Sequence, residues 1–373
     1  MTQPAPRYLS DTYLDWLPSE GLPIVEDFGV DLLGLETAPW ARLGGTARGA
    51  YVLLKGRGDF VDAYVCELPA GGQTEPQRHL YEEVIYVLAG RGSTTIELQD
   101  GRHHSFEWGR GSLFALPLNT RYRHFNTSGR EPARFAAVTN LPLILNAFHN
   151  FRFVFDNAFS FEERIGNARM FEGDGTFIPV KPGRHQWETN FVPDLATFKL
   201  EGWGARGVGS SNIKFILADG TMHAHMSELA VGTYKKGHRH GPDFHIFPAT
   251  GHGYSLFWYA GEQEFRRIDW QHGWVYAPAD QMFHQHFNTS NKPSRYLAVA
   301  WGSIRYPFSS DKKTQFGEGS DTDISVGGRQ IEYENEDPRI RQIFEEELRK
   351  NAVQVDERLV EIWRKRDLVG VGR

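Results

Sequence analysis

The sequence predicts an all-β protein made of one unit written twice and closed by C-terminal α-helices, and three observations carry that expectation. Glu67 to Gly92 can be laid on Glu228 to Gly253 at a constant offset of 161 residues without a gap, which is the mark of an internal repeat. Within each copy, short runs of Val, Ile, Phe, Tyr and Thr alternate with Gly, Pro, Asn and Asp, as strands punctuated by turns do. Near the C-terminus, apolar residues recur at helical spacing instead.

In chain order, residues 1–50 form an N-terminal arm. Its Trp16, Leu22-Pro23-Ile24 and Leu32-Leu33 suit either a cap on its own barrel or a cover for a partner's sheet edge. The first repeat follows at 51–150. There Val84–Leu88 reads as a strand before the Gly90-Arg91-Gly92 turn, Ser93–Glu97 as the next before Asp100-Gly101, and Gly111–Pro117 as another. Residues 151–205 are a linker containing strands, and the second repeat spans 206–307. The tail, 308–373, begins as a polar loop to 329. Asp337 then caps a helix with Pro338 in its first turn and Ile340, Ile343, Phe344 and Leu348 on one face. A second helix is expected from Asp356 to Asp367, carrying Leu359, Val360, Ile362 and Trp363.

Length and charge narrow the function classes. A chain of 373 residues exceeds one ordinary core, in keeping with two barrels. A net charge of −6 offers no general attraction to phosphate backbones, so nucleic acid is not an expected partner. The lone Cys66 excludes an intrachain disulfide framework and a thiolate-rich metal site. No basic leader with an apolar core and no apolar run of eighteen residues occurs, so a cytoplasmic protein that does not engage membranes is expected.

The chemistry concentrates in histidine. Five of fifteen histidines fall in Gly237–His245 and in His284-Gln285-His286. Side chains alternate along a strand, so both imidazoles of His238-Arg239-His240 face the same way and can reach one ion. His286 aligns with His124 of the first copy. Met222-His223-Ala224-His225-Met226 imitates the same pattern but precedes the aligned stretch, and its histidines are not expected to be ligands.

These motifs resemble the cupin family, and the duplication resembles a bicupin. The first family motif is matched by Gly71, Gln77, His79, Glu83 and Gly90, and again by Gly232, His238, His240, His245 and Gly251. The closing motifs are Pro117 to Asn126 and Pro278 to Asn288. The resemblance implies a double-stranded β-helix, or jelly roll, in each half. It also implies one divalent ion per chain on His238, His240 and His284, with His245 in place of the usual Glu. The ungapped alignment puts Phe244 opposite Glu83, so His245 reaches the ion only if Gly241-Pro242 breaks the strand's alternation. His286 competes with His284 as last ligand and otherwise contacts substrate. In the first copy Gln77 and Tyr122 replace family histidines, leaving Gln77, His79, Glu83 and His124 as a degenerate set.

Resemblance to gentisate-type and diketone-cleaving dioxygenases implies Fe(II) and oxidative cleavage of a small planar, anionic or enolic substrate. In that scheme His286 and His245 join the chemistry beside the ion. The alternative is a redox-neutral lyase, isomerase or decarboxylase using Mn, Ni, Co or Zn. A third possibility is a bicupin that binds a small molecule without catalysis. A homo-oligomer is expected, since exposed sheet edges invite a partner.

Overall fold

The computed structural model describes residues 10–98, 100–166, 168–181, 183–241, 244–303, 305–306 and 321–370. Much of the expected polar loop, at 308–320, lies outside the described residues, as does Pro242 of the Gly241-Pro242 pair.

Each half is a large sheet facing a small one. In the first, a sheet running through Arg48–Leu54, Asp62–Leu68, Ala133–Thr139, Glu83–Ala89 and Leu113–Ala115 faces Arg121–Asn126, Arg91–Glu97 and His103–Gly109. In the second, Ser211–Leu217, Met222–Leu229, Ser294–Trp301, His245–Thr250 and Trp274–Tyr276 face Arg266–Gln271, His252–Trp258, Phe283–Asn288, Gly237–His238 and Gln330–Ile331. The strand order repeats at the sequence offset, as a duplicated jelly roll requires.

Strands are also exchanged between the halves. Gly29–Asp31 pairs with Trp274–Tyr276 of the second half, while Phe191–Val192 pairs with Leu113–Ala115 of the first. Two arginines lock these crossings. Arg134 holds Glu67 and donates to the carbonyls of Leu32, Leu33 and Leu35; Arg295 holds Glu228 and donates to those of Leu195 and Phe198. A hydrogen bond from a charged donor contributes about 1.5–3 kcal/mol, so each arginine adds materially to the hold of the short strand beside it. The repeat is thus longer than the aligned motifs. The arm and linker are its crossing segments, and the arm is spent within this chain, with Tyr13, Leu17 and Trp40 buried against Tyr51 and Tyr64.

Between the two large sheets lies a shared core, with Val52, Val84 and Tyr86 from one half meeting Met226, Phe247 and Leu297 from the other. Helices Pro338–Lys350 and Glu357–Gly370 lay Ile340, Phe344, Leu359 and Trp363 on Tyr234, Tyr254 and Phe287 of the second half's small sheet. Asp337 accepts from the Arg339 amide as the cap. Short helices at Thr12–Trp16, Leu141–Phe148 and Phe151–Phe155 were not expected from periodicity, being too brief to show one. Among the described residues, no helix is long and apolar enough to cross a membrane.

The family motifs have local reasons. Gly71 and Gly232 turn at φ of 66° and 65°, a region that side chains disfavour. At Gly232 a Cβ would also strike the Gln354 carbonyl at 2.1 Å. Asn126 and Asn288 are clamps, each donating to three carbonyls: Leu68, Pro69 and Glu131 in one half, Leu229, Ala230 and Lys292 in the other.

Candidate metal centre in the second barrel

Gly237–His238 is a two-residue strand between two others, with His238 in register with His284 on one side and Gln330 on the other. Tyr234 and Lys235 lead into it along the strand Phe283–Asn288. Alternation sends His238 and His240 inward, where a ligand atom from each and one from His284 all lie within 4.8 Å of one another. Ring centroids are 4.2 Å apart for His238 and His284 and 4.5 Å for His240 and His284.

The second nitrogen of each ring fits this group for an ion. Nδ1 of His238 meets the Lys236 carbonyl at 3.1 Å, Nδ1 of His240 the Gly241 carbonyl at 2.8 Å, and Nδ1 of His284 the Met282 carbonyl at 3.1 Å. A carbonyl only accepts, so each Nδ1 carries the proton and each Nε2 keeps its lone pair, the usual arrangement of metal-binding histidines. Burial, then Arg206 and the neighbouring imidazoles, hold His238 far below the ordinary imidazole range; burial, then His240 and His286, do so for His284. Those two rings are therefore neutral, as ligation requires.

His286 and His245 are placed differently. The His286 ring centroid lies 5.6 Å from that of His284, but its Nδ1 is engaged by Ser255 Oγ at 2.8 Å and Tyr276 Oη at 3.3 Å. It lines the chamber beside the three ligand candidates. His245 does not join them. It is fully buried and in register with Val299, on the strand face shared with Phe247 that packs between the halves. Phe244 takes the inward position instead, its ring 4.2 Å from that of His240. The structure therefore does not bring His245 to the three imidazoles, where the sequence had placed it.

Phe244 thus stands where Glu83 stands in the first half. Phe244→Glu should supply a carboxylate to the ligand set and tighten Mn(II) binding at least about tenfold. Titration followed by Mn(II) electron paramagnetic resonance would show it; unchanged affinity would mean that position 244 does not face the ion.

The first barrel has filled its equivalent site with itself. Glu83 is 2.5 Å from His79 Nε2 and accepts from the hydroxyls of Tyr64 and Tyr122. Burial pushes the Glu83 carboxyl up, but His79 and the two hydroxyls outweigh it and bring it down to about 2. Gln77 donates to the Leu43 and Glu75 carbonyls, and His124 is bound to Thr94.

Basic side chains beneath the second centre were missed in the sequence. Lys235 is 2% exposed, with Nζ 4.8 Å from the Tyr296 ring centroid and 5.4 Å from that of Trp203. No described residue accepts a hydrogen bond from that Nζ. Arg206, buried nearby, donates to Gln330 and pairs with Asp321 at 3.3 Å. Burial, then Arg206 and Arg184, push the Lys235 amine well down. The available signal was that Lys235 aligns with Thr74, a lysine at a position the first copy buries.

Residues 64–139 match the family model described as Cupin domain. Among solved structures, the chain resembles a tryptophan-to-tyrosine variant of oxalate decarboxylase from Bacillus subtilis, at 16% identity over 74% of this chain and 78% of that one, with a TM-score of 0.46. It likewise resembles an oxalate decarboxylase structure concerned with substrate binding mode, at 16% identity, the same coverage and a TM-score of 0.47. Identity this low carries no information about substrate or metal. No curated protein matches the sequence. The first half therefore contains a cupin domain, and the second half repeats the same arrangement of strands at the sequence offset.

Proposed function

We infer that the second barrel is a mononuclear metal-dependent site for redox-neutral chemistry on a small oxo acid, as in a decarboxylase, lyase or isomerase. The observation that carries this reading is the pairing of three imidazoles, each with its Nδ1 proton tied to a carbonyl, with a buried Lys235 that has no acceptor among the described residues. When bound, a divalent ion such as Mn(II), Ni(II), Co(II) or Zn(II) polarises a substrate carbonyl.

The chain's own residues supply the rest. A carboxylate entering beside Lys235 and Arg206 favours the protonated form of the amine, and the two groups then stabilise negative charge that develops on loss of CO2 or of a proton, inside the barrel where few dipoles of water compete. Phe244, Trp203 and Tyr296 give it apolar walls. Charge accumulation without electron transfer is the demand such surroundings meet, which favours the redox-neutral reading over the Fe(II) dioxygenase. The all-imidazole ligand set is the one feature that suits oxygen chemistry as well.

Protein loaded with Mn(II) under strict anoxia should convert a member of a panel of 2-oxo and 3-oxo acids, followed by proton NMR and CO2 release. Turnover that begins only when oxygen is admitted to iron-loaded protein would replace this reading with the dioxygenase. Failure of all panels, with metal bound, would leave a non-catalytic binding module.

A further inference from the structure

We propose that His225, held by His223, is the acid–base group of this centre, facing the three metal-site histidines from the opposite wall of the chamber. The proposal rests on the functional reading above for the presence of a substrate, and on independent geometry for the residue.

Met222–Leu229 is the strand of the large sheet that faces the ligands. His225 is in register with Ala298, as Tyr64 is with Ala137 in the first half. Tyr64 is the residue that reaches from this strand to Glu83 at the centre of the first barrel. In the second barrel the carboxylate is gone and Phe244 stands there, so the group at position 225 has nothing equivalent to grip. The His225 ring lies 6.1 Å from that of Phe244 and 6.4 Å from that of Tyr296. Those same two rings border the other wall, Phe244 at His240 and Tyr296 at His286, the latter 4.8 Å away. His225 is the less buried of the pair, although it sits inside the barrel.

Its two nitrogens have different company. Nδ1 is 2.9 Å from Nε2 of His223, and Nε2 has no hydrogen-bond partner among the described residues. One proton lies between the two rings, and its position sets the role. When His225 Nδ1 carries it and donates to His223, His225 Nε2 holds a lone pair and accepts a proton from the carbon beside the substrate carbonyl, leaving an enolate. The imidazolium so formed can pass its Nδ1 proton to His223 Nε2. The reverse shift returns a proton through His225 Nε2 to carbon, so proton and electron pair balance with no outside oxidant. His223 is a positioning residue in this scheme and His225 the catalytic one.

The test uses Zn(II)-loaded protein in D2O with pyruvate as probe, reading exchange of the methyl protons by NMR, metal per chain by elemental analysis and His225 itself by ¹⁵N correlation spectra. His225→Gln should keep its metal and thermal midpoint while exchange slows at least about 100-fold, the lower end of what a general base contributes. His223→Leu should slow exchange about tenfold, and His223→Gln, whose amide can still meet Nδ1, should restore most of it. Unchanged exchange in His225→Gln would overturn the proposal, as would loss of metal, which would make His225 a ligand. Wild-type protein that holds metal yet exchanges nothing would sink the oxo-acid reading instead. The ¹⁵N arm then decides His225 with oxalate as probe: an Nε2 resonance that moves on binding supports the proposal, and one that stays fixed overturns it.

Discussion

His284→Ala is expected to abolish stoichiometric metal binding while leaving the fold intact, and His245→Ala to do the reverse. His284 presents one of three imidazoles that share a common focus, and it hangs from a strand whose backbone pairing does not depend on the side chain. Removing it leaves two ligands, and affinity should fall by more than the roughly 10- to 100-fold that follows loss of a supporting residue alone. His245 is packed between the two halves at no exposure. Truncating it empties a buried volume and should cost about 2–4 kcal/mol, within the range of large-to-small core substitutions. Elemental analysis and thermal unfolding on both variants make the crossing visible. Metal lost from His245→Ala at an unchanged midpoint would return that residue to the coordination sphere and undo the assignment of Phe244 to the inward position.

That pair of residues shows how far the sequence could be read. The duplication, the strands around Gly90 and Gly251, the shared face of His238 and His240 and both C-terminal helices follow from spacing, because alternation and helical periodicity map directly onto which side faces inward; His284 joined the pair only through the family resemblance, with His286 as its competitor. His245 went astray where two regularities conflicted. Family spacing drew it to the ion, while the ungapped repeat put Phe244 there, and the structure sets Phe244 beside His240 as the repeat has it. The exchanged strands at Gly29–Asp31 and Phe191–Val192 were hidden for another reason. They are short, and what fixes them is reciprocal pairing plus Arg134 and Arg295 acting from a hundred residues away. No local pattern announces a contact of that kind. His225 lay just outside the aligned stretch, three residues ahead of Glu228, and extending the same offset to Tyr64 would have placed it. Arg206 is set near Lys235 by the tail, whose Gln330 and Asp321 hold its guanidinium, and nothing local in the sequence announces that.

The tail also makes stability depend on pH in a way that isolates one residue. Glu336 is 3% exposed and accepts from the Tyr234 hydroxyl and from Gln285 Nε2 at 3.1 Å. Gln285 lies between His284 and His286 and faces the other way, so this carboxyl braces the ligand strand from outside. Burial raises its pKa from the ordinary 4.5 to about 7, against the pull of those two hydrogen bonds. Below pH 4.5 the group is protonated whether the chain is folded or not, and it costs nothing. As pH rises from 4.5 towards 7 the unfolded chain releases the proton while the folded one retains it, so the unfolded state gains and stability falls. At 1.36 kcal/mol for each pH unit of difference, the loss is on the order of 3 kcal/mol by neutral pH and is constant above it. Glu336→Gln carries no charge to bury. Its amide can donate to Gln285 Oε1, which is buried without a partner, once that side chain turns over. Denaturant unfolding from pH 5 to 8 should therefore show the stability of the wild type falling by that amount relative to Glu336→Gln, since the rise contributed by the buried neutral histidines His238 and His284 is common to both, with metal content the same in both. Parallel curves would mean that the folded protein ionises Glu336 as readily as the unfolded chain does, and the brace would then have to be an ordinary ion pair with Arg366, whose guanidinium already reaches the Glu336 carbonyl at 2.9 Å.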